Sequence, residues 1–203
     1  MKKMLEIKTP KALLVEGQDA WSFFRAMIVH LKLEEEVRAY NFGGIKDFRK
    51  YLNTFKDLPG FWELETLAII RDAEVNASDA FKSIQGALEQ CQLPIPTAPA
   101  TFLQAKPKIG VFILPDQVNP GMLETLCLRA VTDDPGYLCL DSFFDCFKDN
   151  GGEAPNNMEK AKVQAFLATR KKPGRLIGQS ADQGHWPWDN EAFSEIIGFV
   201  QSM

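Results

Sequence analysis

Up to Thr132 the chain alternates between two hydrophobic patterns. Continuous apolar runs of strand length occur at 12–15 (ALLV), 37–42 (VRAYNF), 65–74 (ETLAIIRDAE) and 108–115 (KIGVFILP). Between and after them, apolar residues recur at helical spacing. Ala20, Phe23, Phe24, Met27, Ile28 and Leu31 do so within 19–32, and Ile45, Phe48, Leu52 and Phe55 do so after Gly43-Gly44. Phe81, Ile84, Leu88 and Cys91 follow Ser78, and Leu123, Leu126, Cys127 and Ala130 follow Asn119-Pro120. The first pattern suits strands covered on both faces, the second amphipathic helices. Ser78 is expected to cap its helix, and Pro120 to open the next one.

Strand and helix thus alternate four times. This predicts an α/β fold, a mainly parallel sheet with helices on both faces. The connection holding Pro94, Pro96 and Pro99 reads as a surface excursion rather than a core element. After Thr132 the alternation stops, and 137–149, 157–171 and 190–203 all read as helices. The expected organisation is an α/β domain over residues 1–131 and a helical extension over 132–203, packed together as one compact unit.

Composition narrows the function classes. The formal net charge is −4, so nucleic-acid binding would need a local basic patch or metal ions. Such a patch is offered by Lys160, Lys162, Arg170, Lys171, Lys172 and Arg175. These residues suit either phosphate contacts or a solvated helix and loop. Cys91, Cys127, Cys139 and Cys146 form no C-x-x-C pair, and three lie in apolar-patterned segments, so they read as small buried hydrophobes. No run approaches the roughly 18 apolar residues of a membrane span. The opening MKKMLEIKTPK has no signal-peptide pattern, so no membrane association and a cytoplasmic location are expected. No Walker motif is present, and no ATPase activity of this chain is expected. Lys46 reads as an exposed helix lysine, with a phosphate contact as the alternative, and His185, Trp186 and Trp188 read as a segment packed on the body of the protein, with base stacking by the two tryptophans as the alternative.

The carboxylates carry the chemistry. In parallel sheets, ligands bind at the carboxyl ends of the strands. The first run delivers Glu16 there, the third Asp72 and Glu74, and the fourth Asp116, with Glu124 in the following helix. Acids converging on one rim raise each other's pKa unless a cation neutralises them. Oxygen donors without His or Cys favour Mg²⁺ or Mn²⁺. Asp72 and Glu74, two apart in an extended segment, would face the same side. Simpler roles exist for each acid: a helix cap, the Pro-Asp turn for Asp116, a helix dipole for Glu124.

The strand ending LLVEG, the Gly-bearing second strand end and the RDAE pair resemble a TOPRIM domain over roughly residues 10–131. That is the metal-binding fold of topoisomerases, DnaG-type primases and OLD-family nucleases. LLVEGQDAWSFF, FGGIKDF, VFILPDQVNPGMLETL and KAKVQAFLATR are similar to a family of uncharacterised TOPRIM-like proteins related to the OLD-type nucleases. The resemblance implies Glu16 as general acid/base or metal ligand, and Asp72 and Glu74 as Mg²⁺ ligands. It places Glu124 at the glutamate after the fourth strand. It implies phosphodiester chemistry on DNA or RNA, or else a non-catalytic module binding metal, nucleotide or a protein such as a separate ATPase. Two departures stand out: the acidic pair is Asp72-Ala73-Glu74, and Ala20 occupies a position where OLD-type nucleases carry an acid, with Asp19 beside it.

Overall fold

A computed structural model describes residues 6–203. Residues 1–5, where part of the N-terminal expectation falls, lie outside the described residues. Strand β1 (Lys11–Val15) leads into α1 (Gly17–His30), β2 (Val37–Asn41), α2 (Phe48–Lys56), β3 (Thr66–Asp72) and α3 (Ala77–Gln90). The chain continues through β4 (Phe102–Leu103), β5 (Lys108–Leu114) and α4 (Leu123–Arg129). The remainder is helical: α5 (Pro135–Leu138), α6 (Leu140–Asp149), α7 (Met158–Ala168), α8 (Ile177–Asp182) and α9 (Ser194–Gln201). Short 3₁₀ turns at Ile45–Asp47 and Glu191–Phe193 lead into α2 and α9.

The sheet has the order β2-β1-β3-β5-β4. Strands β2, β1, β3 and β5 are parallel, and β4 pairs antiparallel with β5. Successive side chains on a strand point to opposite faces, and the apolar runs split accordingly. Leu13, Val15, Ala68, Ile70, Phe112 and Leu114 enter one core with Phe23, Phe24 and Met27 of α1 and Leu126 of α4. Ala12, Leu14, Leu67, Ile69, Val111 and Ile113 enter the other with Phe48, Leu52 and Phe55 of α2 and Ile84 and Leu88 of α3. Each fully buried Leu, Ile or Phe contributes about 1.5–3 kcal/mol, which explains why these runs are continuous rather than alternating. Val163, Phe166, Ile177, Trp186, Ile196 and Phe199 from the C-terminal helices join the first core. No helix among the described residues is long and apolar enough to cross a membrane.

Three local expectations are corrected. The α3 cap is Asn76, whose side chain accepts a 3.0 Å bond from Asp79 N. Ser78 is already inside the helix, because β3 ends at Asp72 and the chain turns early. Asn76→Ala should therefore cost about 1 kcal/mol in a urea melt, and Ser78→Ala within about 0.5. Helix α4 starts at Leu123, not at Pro120, since Gly121 is engaged in a two-bond bridge with Glu74. Cys139 and Cys146 are exposed; only Cys91 and Cys127 are buried. Their helix α6 buries Leu140 alone. The proline-rich excursion carries no helix or strand of its own and leads into the half-buried edge strand β4, where the Phe102 ring lies over Gly110 so closely that a Cβ there would meet it at 2.5 Å.

Candidate functional site

The sheet order reverses at β1, with β2 on one side and β3 on the other. The carboxyl ends of β1 and β3 thus border the crevice where open α/β sheets take their ligands. Glu16 follows β1, and Asp72 ends β3. The pairing Val15↔Ile70 puts Glu16 level with Arg71 and Asp72 one step beyond.

The two carboxylates follow the strand parity and lean to different faces. Glu16 Oε1 accepts a 3.0 Å bond from Ile45 N, and Oε2 lies 3.9 Å from Arg71 Nε. Asp72 Oδ1 accepts a 3.0 Å bond from Leu123 N at the start of α4. Gly17 N donates to Gly43 O at 3.0 Å, an approach that both residues make at positive φ, +84° and +80°. A Cβ added at Gly17, Gly43 or Gly44 would meet nothing within 4 Å. The turn beside Glu16 is therefore open.

Glu124 enters from α4 and Lys160 from α7, with Lys160 Nζ 3.4 Å from Glu124 Oε1. Burial, and then the charges of Glu124 and Glu16, push the Asp72 carboxyl up to about 7. The Leu123 N–H and Lys160 oppose the rise. Burial also raises Glu16, against the Ile45 N–H and Arg71, with Glu74 adding to the rise. The rim is thus short of positive charge at Asp72, whereas Glu16 has a counter-ion built in.

The other candidates are placed differently. Glu74 lies beyond the strand, exposed and at φ +54°, so the extended-segment geometry expected for Asp72 and Glu74 does not exist. Its charge reaches Glu16 rather than a site shared with Asp72. Asp116 is consumed by its own turn. It accepts from Val118 N and Asn119 N, and it pairs with Arg129 Nη1 at 2.6 Å. Burial works against its ionisation, but the Asn119 and Arg129 bonds outweigh it and hold the carboxyl well below the usual range. Asp19, beside Ala20, caps α8 by accepting from Gly178 N at 2.8 Å and Ile177 N at 3.3 Å. Among the described residues, no three His, Cys, Asp or Glu side chains are grouped so as to hold an ion.

The site roles of two participants were not legible in the sequence. Arg71 sits buried in an apolar strand, and an ionisable residue in such a run signals partners; here its Nη1 donates to Ala80 O at 2.9 Å, and the Glu16 carboxylate lies 3.9 Å from its Nε. Lys160 was legible as one of the basic residues of 160–175, but only the packing of α7 against α4 brings it to the acids. The remaining basic residues are partly spent: Lys162 pairs with Asp141, and Arg170 with Asp134. Trp186 is buried, and its Nε1 donates to Ile177 O at 3.0 Å. Trp188 packs on Phe23 and Phe193.

Residues 10–203 match the family described as "Protein of unknown function (DUF3226)". No curated protein matches the chain. Among solved structures, the chain is similar to the C-terminal region of the Xanthomonas campestris pv. campestris OLD protein phased with mercury. That likeness has a TM-score of 0.53 and 10% identity, and covers 96% of this chain and 95% of that one. The same region phased with platinum gives a TM-score of 0.53 at 10% identity, covering 96% and 93%. At this identity the likeness is one of fold.

Proposed function

The chain belongs to the DUF3226 family, and from that starting point we propose that it is a TOPRIM-like, Mg²⁺- or Mn²⁺-dependent protein that hydrolyses phosphodiesters in nucleic acid. The observation that carries this reading is Asp72: an enclosed carboxyl at the topological switch point, with Glu124 and Glu16 raising its pKa. The likeness to an OLD protein region supports the fold half of the reading.

The donor set fits a hard cation. Mg²⁺ is commonly held by one or two carboxylates and keeps several waters. Asp72 and Glu124 supply such a pair without a third acid. Glu16, tied to Arg71, is suited to accept or return a proton at the reacting water rather than to give its charge to the ion. Glu74 and Asp116 are left as outer carboxylates. When bound, the cation would supply Lewis-acid polarisation of a phosphoryl oxygen. The open Gly43-Gly44 turn and Lys160 would admit and balance the phosphate. A separate ATPase is a proposed protein partner.

A second reading, a non-catalytic metal- or nucleotide-binding module, is favoured by the use of Asp19 as a helix cap and by Ala20 beside it. A nicking assay on DNA and RNA separates the two. Metal-dependent cleavage by wild type that Asp72→Asn abolishes is the expected result. Metal binding without cleavage of either substrate selects the module.

A further inference from the structure

We propose that two adjoining hollows around the Asp134–Arg170 ion pair bind a small phosphomonoester, its phosphate at Lys171 and its organic part against Pro187. The first hollow, about 490 Å³, is lined by Asp134, Gly136, Arg170, Lys171 and His185 among others. The second, about 460 Å³, shares Asp134, Arg170 and His185 and adds Asp133, Pro187 and Asn190. Each has the size of a small-molecule pocket. Both are distinct from the carboxylate rim. Helix α7 carries Lys160, the rim residue, in its first turn and ends at Ala168, on the order of 12 Å further on at 1.5 Å per residue.

Arg170 is fixed from three sides. Its Nη1 and Nη2 donate to the two Asp134 oxygens at 2.8 and 2.7 Å. Its Nε and Nη2 donate to Thr169 Oγ1 at 3.2 and 2.8 Å. The guanidinium carbon lies 4.3 Å from the centre of the Phe166 ring, which stacks in turn on the buried Trp186. Gly136 permits the approach, since a Cβ there would stand 2.5 Å from Thr169 Oγ1 and 2.7 Å from Arg170 Nη2. These bonds use four of the five guanidinium N–H groups. The fifth, on Nη1, has no protein partner among the described residues.

An ion pair joining α5 to the end of α7 accounts for that much, but not for the groups around it. Asp134 spends its charge on Arg170, so the first hollow keeps the charge of Lys171, which is exposed and makes no ion pair among the described residues. His185 Nδ1 is buried without a hydrogen-bond partner. An unmet buried group of this kind costs about 1–3 kcal/mol, and a ligand oxygen relieves it. Burial and the Arg170 charge lower the His185 pKa, so above pH 7 the ring is neutral and offers a donor and an acceptor. The second hollow adds the Asp133 carboxylate, an acceptor for hydroxyl or amine groups, beside Pro187. One end thus suits a phosphate and the other its sugar or base.

Titrations at pH 7.5 with inorganic phosphate, ribose 5-phosphate and AMP test the site, with chelator present so that metal-assisted binding at the rim does not contribute. The chain has two histidines, so ring-proton NMR locates the ligand. Both esters should bind and shift the His185 resonances more than those of His30, and inorganic phosphate should bind at least about tenfold more weakly. AMP binding about tenfold tighter than ribose 5-phosphate assigns the second hollow to a nucleobase; equal affinities assign it to the sugar. Lys171→Ala should weaken ester binding by about tenfold. Lys172→Ala, which lines neither hollow, should leave it within about twofold. No ester binding by wild type at millimolar concentration overturns the proposal. Equal losses in the two lysine variants also overturn it, as does inorganic phosphate binding as tightly as the esters.

Discussion

Asp72→Asn is expected to stabilise the metal-free protein at pH 8 by about 4 kcal/mol. The Asp72 carboxyl has an ordinary pKa of 3.8 in the unfolded chain and about 7 in the fold, through burial, Glu124 and Glu16. Below about pH 4 both states hold the proton and no penalty exists. Between about pH 4 and 7 the unfolded chain has lost the proton and the folded chain keeps it, so stability falls as pH rises through this window. Above it the full penalty applies. Asparagine retains an oxygen for the Leu123 N–H and removes the charge. Asp134, held low chiefly by its bonds from Arg170, acts in the opposite sense and loses its contribution only at acid pH. Urea melts at pH 5 and pH 8 with chelator present measure the effect. Equal pH slopes for wild type and variant would remove Asp72 from its place at the centre of the rim.

Gly178→Ala should destabilise the protein by about 3 kcal/mol, through overpacking without room to relax. The added Cβ would lie 2.2 Å from Ser22 Cβ, 2.7 Å from Asp19 O and 2.9 Å from Phe23 N. Two of these are helix backbone atoms of α1, which have nowhere to go. The same residue donates its N–H to the Asp19 carboxylate, so a shift of α8 would also break the cap. Gly86→Ala in α3 is the control: a Cβ there meets nothing within 4 Å, and the exchange should stabilise by about 0.5–1 kcal/mol. Thermal melts of both variants compare them directly. A Gly178→Ala protein as stable as wild type would show that α8 is not clamped to α1.

The contrast between α8 and β5 shows what the sequence could convey. β5 is a seven-residue apolar run, and burial on both faces leaves it no other composition, so its place in the sheet is legible from KIGVFIL alone. α8 has six residues, fewer than two turns, and shows no period. Its position depends on Asp19, distant in sequence. The same limit applied to the site. Glu16 and Asp72 were legible because strand ends in a parallel sheet share one edge. Glu74 was misplaced by assuming that the strand continued past Asp72, where the chain instead turns left-handed. Asp116 was correctly located after its strand, but its turn bonds and Arg129 are tertiary facts. That 137–149 is helical was legible, yet a helical pattern does not say which apolar positions meet the core, and α6 buries Leu140 alone while Cys146 is exposed.

The central claim is that Asp72 anchors a divalent cation with Glu124. Calorimetric titration of Mg²⁺ and Mn²⁺ at pH 8 into wild type, Asp72→Asn and Asp116→Asn tests it most directly. Wild type and Asp116→Asn should bind one ion alike, and Asp72→Asn should bind none. Absence of binding by wild type at millimolar metal, or binding lost in Asp116→Asn and retained in Asp72→Asn, would contradict the account.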